Sequence, residues 1–288
     1  MRFGELLLWC TALGIVSLAI LIVNTLTIVA LTRTKLLRRR TCLFLISLAC
    51  ADLIVGMLSV PMYIYQLVTR WKDPAALSTR STVFKAFQVI DIFSGLASVF
   101  TLTAIALERT YAIGWPLKHR AYNPRFYTIL LSSVWISASL LSGLYLLFQY
   151  ELLQHRVFFY FMMAALFLST FLMIIAYLII WIKARELRKE YKNRRSRRLF
   201  QRTTEKERRL AMTLFIVTAV FILTWMPFQI LNIIFFFTCT SFPCGPPDTV
   251  IYFCKLLHYA NSFLNPAIYS SRIPDFWKAM KKMVFCKC

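Results

Sequence analysis

Long apolar stretches, separated by short polar segments, dominate the pattern of residues along this chain of 288 residues. Seven of the stretches have room for the roughly 20 apolar residues that a helix needs to cross the hydrocarbon core of a bilayer. The pattern therefore predicts an all-α membrane protein, a single seven-transmembrane helix bundle that occupies residues 1–288. The predicted spans are about 6–32, 42–67, 84–113, 126–150, 157–183, 208–237 and 249–271.

The composition agrees with a chain that is solvated by lipid. Hydrophobic residues make up 59% of it and charged residues 16%, whereas soluble domains average about 45–50% and about 25%. The formal charge of +22 could by itself indicate a nucleic-acid partner. The distribution of that charge argues against this interpretation.

The basic residues cluster in alternate connections between the spans. Of the 34 Lys and Arg residues, 26 fall in four segments, with five in 33–42, three in 114–125, thirteen in 183–209 and five in 272–288. By the positive-inside rule these segments are cytoplasmic, which predicts an extracellular N-terminus and a cytoplasmic C-terminus. Topology and contact with anionic membrane lipids account for the positive charge, and we expect a multi-pass protein of the plasma membrane without a nucleic-acid partner.

Four of the eight cysteines lie where they could be modified. Cys239 and Cys244 share the last outer loop, in an oxidising compartment, and are predicted to form a short disulfide. Cys286 and Cys288 follow residues 274–285, a basic amphipathic stretch that predicts a short C-terminal surface helix. Basic residues beside juxtamembrane cysteines indicate reversible palmitoylation, and two free thiols are the alternative.

An acid and an arginine stand side by side at the cytoplasmic end of the third span, as Glu108 and Arg109. Charges within a span are costly, so an ionisable pair there indicates a functional site. The alternative is an ordinary boundary pair whose long side chains reach the headgroups.

Asp52 is a lone carboxylate in the second span, and a buried carboxylate must be either protonated or paired. No basic residue is expected at the same depth, so hydroxyl and amide groups must serve as its partners. An oxygen-rich pocket of this kind suits a hydrated sodium ion, and a neutral aspartic acid in a hydrogen-bonded network is the alternative. The candidate partners are Ser98, Asn261, Ser262 and Asn265.

In the sixth span, Trp225 precedes Pro227 by two residues. Proline removes a backbone hydrogen bond and bends a helix, which neighbouring transmembrane helices tolerate. The pair predicts either a hinge for the cytoplasmic half of the span or a static bend.

Further motifs occur in chain order over roughly residues 10–288. Together they resemble the rhodopsin-like (class A) G-protein-coupled receptors. The resemblance implies a receptor, not an enzyme, that transmits an extracellular ligand signal to heterotrimeric G proteins and also binds arrestin, with sodium as a possible allosteric ion and no cofactor. The residues that carry it are Asn24, Ser47 to Leu53 with Asp52, Pro61, Trp71, Leu107 to Ile113 with Glu108 and Arg109, Trp135, Phe221 to Phe228, and Asn265 to Tyr269.

The resemblance also implies an activation switch at the cytoplasmic end. Glu207 lies twenty residues before Pro227, about 30 Å along a helix, at the depth where Arg109 is expected. The resting state of the family pairs these two positions. A solvated glutamate in a basic loop is the alternative for Glu207. The residues assigned to the switch are Glu108, Arg109, Tyr177, Glu207, Pro227, Pro266 and Tyr269.

The chain departs from the family at three positions. Phe84 stands where the family usually has a cysteine bonded to the second outer loop, Ser169 replaces a proline, and Thr110 replaces a tyrosine. Loss of the disulfide and the proline is similar to the melanocortin, cannabinoid and lysophospholipid receptors. Two cysteines in the last outer loop resemble the melanocortin receptors, although those usually carry Asp at the position of Asn265.

Asp91 lies eighteen residues before Arg109, five turns along the same helix face. In the aminergic receptors an aspartate at the corresponding place pairs with the ligand ammonium, and Tyr259 matches the tyrosine that steadies it. Lys255, one turn from Tyr259, could neutralise Asp91 instead. A small cationic amine is the first interpretation, and a peptide or a lipid is the alternative. The expected ligand-binding residues are Asp91, Trp225, Phe228, Gln229, Lys255 and Tyr259.

Other seven-span and enzymatic functions are less consistent with the sequence. An opsin needs a lysine at the position of Tyr259, and Lys255 is a full turn away. A transporter would show inverted repeats or interrupted spans. An enzyme needs a nucleophile beside a base, but the three histidines lie in separate segments without an accompanying motif.

Overall fold

The computed structural model describes most of the chain, including both ends of each predicted span. The described residues are 2–33, 41–73, 82–115, 119, 124–193, 198–238, 247–272, 276–277 and 281.

Within these ranges the chain forms seven long helices. The second, α2, is continuous but composite, because the π-helical turn Val55–Ser59 joins the α-helices Thr41–Ile54 and Val60–Lys72. The others are α1 (Phe3–Arg33), α3 (Thr82–Gly114), α4 (Pro124–Gln149), α5 (His155–Asn193), α6 (Arg198–Thr238) and α7 (Asp248–Arg272).

The predicted fold class, a seven-helix membrane bundle, is confirmed. Helices α1 to α6 are each long and apolar enough to cross a membrane. Helix α7 has 25 residues, and its buried face includes five polar side chains, which are Lys255, His258, Asn261, Ser262 and Asn265. Helices α5 and α6 run well beyond the predicted spans 157–183 and 208–237, since a helix does not have to end at the membrane surface.

Helix α3 lies at the centre of the bundle and contacts α2, α4, α5 and α6, while α7 closes the ring between α6 and α1. The buried face of α3 is rich in small side chains, among them Ser94, Ala97, Ser98 and Ala104. Small residues let membrane helices approach closely, which replaces the hydrophobic driving force that is absent between helices in lipid.

Contacts at the helix termini define two ends of the bundle. The N-terminal end joins Phe3 to Trp71, whose rings are 5.6 Å apart, and Arg70 to Asp248, which form an ion pair of 3.3 Å. We call the opposite end, where α1, α3 and α5 reach Arg33, Arg109 and Lys183, the basic end.

The π-helical turn in α2 has a local cause. Pro61 has no backbone N–H and cannot continue the regular α-helical pattern, and the Val60 N–H donates instead to the carbonyl of Val55. The Ser17 hydroxyl of α1 donates to the Gly56 carbonyl at 2.8 Å. Gly56 has no side chain, and this allows α1 to pack directly on the turn.

The N-terminal end of α3 is tied to the connection after α4 without a disulfide. Lys85, next to Phe84, donates from Nζ to the Gln149 carbonyl at 3.2 Å. The same ammonium lies 4.4 Å from the centroid of the Tyr150 ring. A hydrogen bond and a cation–π contact therefore link the elements that the resembling family usually links through a cysteine pair.

The predicted surface helix at 274–285 is described at three positions, Phe276, Trp277 and Lys281, whose backbones are helical. Phe276 is buried in the main core, and Lys281 lies over the Trp277 ring at 5.2 Å. This agrees with an amphipathic helix, and the extent of that helix stays a prediction.

The substitution Gly56→Ala should destabilise the bundle. An added Cβ would lie 2.9 Å from Cγ2 and 3.2 Å from Cβ of Ile20, atoms that cannot move without a shift of α1. We expect a loss of about 1–3 kcal/mol, measured as a lower thermal unfolding midpoint of the detergent-solubilised protein. Gly14→Ala is the matched control, because its Cβ would meet nothing within 4 Å. Equal midpoints for the two variants would contradict the packing argument.

Lys85→Met should loosen the N-terminal end, because it removes both the hydrogen bond to Gln149 and the contact with Tyr150. A partly exposed charged hydrogen bond contributes about 1 kcal/mol, so the unfolding midpoint should fall by about 2–4 °C. Lys72→Met, at an exposed position of the same end, is the control and should leave the midpoint unchanged.

Candidate functional site

Helix α3 carries polar residues at three levels of the bundle. Asp91 lies towards the N-terminal end, Ser98 near the middle, and Glu108 with Arg109 at the basic end, and all four are buried. The eighteen residues from Asp91 to Arg109 correspond to about 27 Å along the helix. One helix thus reaches from a potential ligand site to the opposite surface.

Asp91 and Lys255 form a buried ion pair between α3 and α7. The Lys255 Nζ lies 2.5 Å from Oδ2 of Asp91, and the two side chains are only 7% and 8% exposed. The sequence left open whether Asp91 pairs with a ligand ammonium or with Lys255. In this structure Asp91 pairs with Lys255.

Four aromatic rings surround the ammonium group of Lys255. The distances from Nζ to the ring centroids are 4.2 Å for Phe228, 5.0 Å for Tyr259, 5.9 Å for Phe87 and 6.0 Å for Tyr63. Cation–π attraction at such distances stabilises a desolvated cation. The pair is therefore held in an aromatic cage, which we define by these four rings.

Several polar atoms around the cage have no hydrogen-bond partner among the described residues. They include Oδ1 of Asp91, Nδ1 of His258 and the hydroxyl of Tyr259. Oε1 of Gln229, which follows Phe228 in α6, is also buried without a partner among the described residues. The Tyr259 hydroxyl faces the Asp91 carboxylate, and the expectation that it steadies this carboxylate stays a prediction. Buried polar groups are normally satisfied, and these atoms are available to a ligand.

The floor beneath the cage is formed by Trp225 and His258, whose rings stack at 5.3 Å with an interplanar angle of 26°. His258 also contacts the Phe228 ring at 5.1 Å. A Cβ on Gly95 would lie 3.5 Å from Cζ2 of Trp225, an ordinary van der Waals distance, so the indole packs close to α3 at this position. Trp225 is thus in contact with both α3 and α7.

Sequence reasoning missed His258 as a site residue. It lies three residues after Lys255 and directly before Tyr259, and residues at i, i+3, i+4 and i+7 share one helix face. That spacing, together with Ser262, was the signal that could have identified it.

The Asp52 cluster lies at mid-depth between α2, α3 and α7. Asp52 is 1% exposed and accepts hydrogen bonds from Nδ2 of Asn265 at 3.0 Å and from the Ser98 hydroxyl at 3.4 Å. Ser262 lies beside the same carboxylate, and Oδ1 of Asn261 has no partner among the described residues. Three of the four residues predicted to surround Asp52, which are Ser98, Ser262 and Asn265, are therefore close to it, and the fourth, Asn261, lies one turn before Asn265 on α7.

Two other motif residues hold helices together. Nδ2 of Asn24 donates to the Ser262 carbonyl at 3.0 Å and so joins α1 to α7. The Trp135 indole donates to the Ser47 hydroxyl at 2.9 Å and joins α4 to α2. Their role in this structure is to position the helices that carry the site.

At the basic end, Glu108 is the centre of an ionic cluster. Arg109 donates to it through both Nε and Nη2, the latter at 2.6 Å. Nε2 of His119, in the connection after α3, lies 2.9 Å from Oε1 of Glu108 and 3.0 Å from the Tyr127 hydroxyl of α4. Glu108 and Arg109 are 6% and 3% exposed, so they are buried rather than extended into the headgroups.

His119 was also missed, and the sequence offered no signal for it. It lies in a connecting segment, eleven residues from Glu108, and only the return of the chain into α4 brings it to the carboxylate.

Tyr177 connects α5 to α6 in this structure. Its hydroxyl accepts a hydrogen bond from the Thr218 hydroxyl of α6 at 3.1 Å. Pro227 and Pro266 lie inside α6 and α7, as predicted.

Some predicted site residues lie outside the described part of the structure. They are Cys239, Cys244, Cys286 and Cys288, together with the side chains of Glu207 and Tyr269. Their assigned roles stay predictions.

Comparisons with known proteins agree with this geometry. Residues 23–269 match the family "7 transmembrane receptor (rhodopsin family)". An octopamine receptor beta-2R of Drosophila melanogaster is 26% identical over 91% of this chain and 58% of its own length. A D(1) dopamine receptor of Carassius auratus is 26% identical over 96% of this chain and 87% of its own. An adenosine receptor A2b of Gallus gallus is 26% identical, with coverages of 91% and 83%.

The chain spans 58% and 60% of the lengths of two octopamine receptors of Drosophila melanogaster that it matches. The family match, in contrast, runs from the first helix to the end of the motif that starts at Asn265. It covers well over half of the chain, and all seven helices contribute to it. This multi-pass membrane protein therefore belongs to the rhodopsin family of seven-transmembrane receptors.

Proposed function

We propose that this protein is a G-protein-coupled receptor of the plasma membrane. It binds a small ligand that carries an ammonium group at the Asp91 site and signals to heterotrimeric G proteins, and subsequently to arrestin, at the basic end. The observation that supports this proposal is the pair of buried ionic clusters, Asp91 with Lys255 and Glu108 with Arg109, at opposite ends of one central helix.

The orientation follows from the distribution of charge. The segments after α1, α3 and α5 and the C-terminal segment carry most of the Lys and Arg residues, which favours a cytoplasmic location for the basic end. The N-terminal end, with the aromatic cage, then faces the outside. A ligand can reach it there, and anionic lipids of the inner leaflet contact the opposite end.

An ammonium-bearing ligand is favoured over a peptide or a lipid by two observations. Asp91 retains a buried oxygen, Oδ1, without a partner among the described residues, and a charge-assisted hydrogen bond to it would be strong. Relatives of the chain include receptors named for octopamine and dopamine, both of which are amines.

The signal would pass through Trp225 and α6. The indole stacks on His258 beneath the cage and lies close to α3, so a ligand that displaces the floor must move it. Pro227, two residues later, removes one backbone hydrogen bond from α6, and such a position can serve as a hinge. Movement of the basic half of α6 would then change the contact between Thr218 and Tyr177.

The ionic cluster at the basic end would hold the resting state. While Glu108 binds both Arg109 and His119, the arginine is not free to reach a G protein. Conformational change that separates this pair exposes Arg109 at the cytoplasmic surface. A ligand shifts the balance between two such states only through its different affinities for them.

The oxygen atoms around Asp52 fit a sodium ion. The fit rests on the Asp52 carboxylate, which has no described cationic neighbour, and on Oδ1 of Asn261, a buried acceptor without a partner among the described residues that lies one turn before Asn265 on α7. Asp52, Ser98, Asn261 and Asn265 would hold the ion, which when bound supplies the positive charge that the carboxylate lacks. These residues join α2, α3 and α7, so the same contacts would stabilise one arrangement of those helices.

Glu108→Gln should raise ligand-independent signalling. Loss of the carboxylate charge frees Arg109 and removes a bias of about 1–3 kcal/mol towards the resting state, enough to increase a minor active state severalfold or more. The measurement is basal nucleotide exchange on purified G protein, normalised to the amount of receptor. His119→Phe should give a smaller increase, since it removes one of two partners.

The matched control for that experiment is Glu186→Gln. Glu186 also pairs with a cation, Lys183, but the side chains of this pair are 56% and 47% exposed, and such pairs contribute little. If basal exchange is the same in Glu108→Gln and Glu186→Gln, the ionic cluster around Glu108 does not hold the resting state. An absence of G-protein activation in every variant would overturn the proposed receptor function.

Sodium should lower agonist affinity through Asp52. An ion that binds the resting bundle more tightly must weaken agonist binding by the same factor, typically about 5–150-fold. Agonist competition curves in membranes, with sodium replaced by an organic cation at constant ionic strength, measure the effect. Asp52→Asn should abolish it, whereas Asp248→Asn, at the exposed pair with Arg70, should not. Binding that ignores sodium in the unmodified protein would refute the ion site.

A further inference from the structure

We propose that the ligand of the Asp91–Lys255 site is a zwitterion, and specifically an aromatic α-amino acid or a close derivative that keeps both charges. Its ammonium would pair with Asp91 and its carboxylate with Lys255. This inference rests on the proposed receptor function and goes beyond it by naming the second charged group of the ligand.

Charges in a buried site must balance. Asp91 and Lys255 neutralise one another, and both are more than nine-tenths buried. An amine without an acid would occupy Asp91 and leave the Lys255 ammonium without its counter-ion, and the loss of one partner from a buried pair is strongly unfavourable. A ligand with a carboxylate but no ammonium would occupy Lys255 and leave the Asp91 carboxylate without its counter-ion. A zwitterion replaces the Asp91–Lys255 ion pair with two ion pairs, one between Asp91 and the ligand ammonium and one between Lys255 and the ligand carboxylate.

Asp91 and Lys255 each keep hydrogen-bonding groups that their mutual contact does not use. The Asp91 carboxylate uses Oδ2 for Lys255 and keeps Oδ1 without a partner among the described residues. The Lys255 ammonium has three N–H donors, and Asp91 is the acceptor that the described residues provide for it. Each member of the pair can therefore accept a ligand group of opposite charge before the internal contact is fully broken.

The short distance between Asp91 and Lys255 limits how far apart the two ligand charges can be. The charged atoms of Asp91 and Lys255 are 2.5 Å apart, so groups that bind them must themselves be close together. The ammonium and carboxylate of an α-amino acid are attached to one carbon atom and meet this requirement. A ligand with widely separated charges would meet it only by folding back on itself.

The aromatic floor beneath the charged pair favours an aromatic side chain on the ligand. His258 follows Lys255 by three residues, about 4.5 Å along α7, so the floor of Trp225 and His258 lies one turn beneath the charged pair. An aromatic side chain on the amino acid would reach this floor and stack on it. Nδ1 of His258, which has no partner among the described residues, could bind a hydroxyl or indole N–H on that ring.

The same features favour an aromatic amino acid over the corresponding simple amine. Discrimination between related ligands often depends on an unfavourable contact with the wrong one, and here that contact is the uncompensated Lys255. The most informative comparison is thus between an aromatic amino acid and the amine formed by its decarboxylation. The two differ only in the carboxylate.

The test measures G-protein activation in cells that express the full chain. The probes are tyrosine, tryptophan and phenylalanine, each beside its decarboxylated amine, tyramine, tryptamine or phenethylamine. For the unmodified receptor, we expect at least one amino acid to be more potent than its amine by about 30-fold or more, the range for a buried charge pair. Lys255→Met should reverse the order, because Asp91 then lacks its internal partner and favours the amine. Lys72→Met, which removes an exposed lysine, should preserve it.

Three outcomes would overturn the inference. These are a lower potency of every amino acid than of its amine in the unmodified receptor, an unchanged order in Lys255→Met, and no response to any of the six probes. If Lys255→Met does not reach the cell surface, Lys255→Arg replaces it and should keep the preference for the amino acid, since the positive charge remains. Basal signalling of Glu108→Gln needs no ligand, so it tests the receptor function separately.

Discussion

The bundle depends on one constraint, which is that a charge inside the bilayer must find a partner there. The hydrocarbon core offers no water to solvate it. Lys255 satisfies Asp91, Arg109 and His119 satisfy Glu108, and hydroxyl and amide groups approach Asp52. Apart from the contact between the chain neighbours Arg109 and Glu108, each of these contacts joins different helices or a helix and a connection, so the requirement that charges be paired also determines how the helices pack.

Helix α3 connects these clusters because it lies at the centre of the bundle and carries one member of each. Its small residues let four neighbouring helices approach, and Gly95 lies close to the Trp225 ring. A change at the aromatic cage can therefore reach the basic end through one rigid element and the stacked pair of Trp225 and His258. Two discrete arrangements of such contacts are what coupling between distant sites requires.

The N-terminal end shows how the same architecture is maintained with weaker bonds. Lys85 binds the Gln149 carbonyl and the Tyr150 ring where the resembling family uses a disulfide, and the connection from α4 to α5 is only the short segment 150–154. Helices α5 and α6 are joined there by aromatic stacking, with the rings of Phe159 and Phe236 3.6 Å apart. Non-covalent contacts of this kind can rearrange, which suits a site that must admit a ligand.

The sequence by itself determined the seven spans, because an uninterrupted apolar stretch of about 20 residues is sufficient to specify a membrane helix. It also determined that Lys255 and Tyr259 share one face of α7 and that Asp91 and Arg109 share one face of α3, because helical spacing fixes which residues of one helix lie on one face. Only the tertiary structure decided that Asp91 pairs with Lys255 and that His119 and His258 belong to the clusters. It also revealed the π-helical turn at Val55–Ser59. Partners in these contacts come from different helices or from a connecting segment, and the distance between such residues depends on packing, which no local pattern of residues specifies.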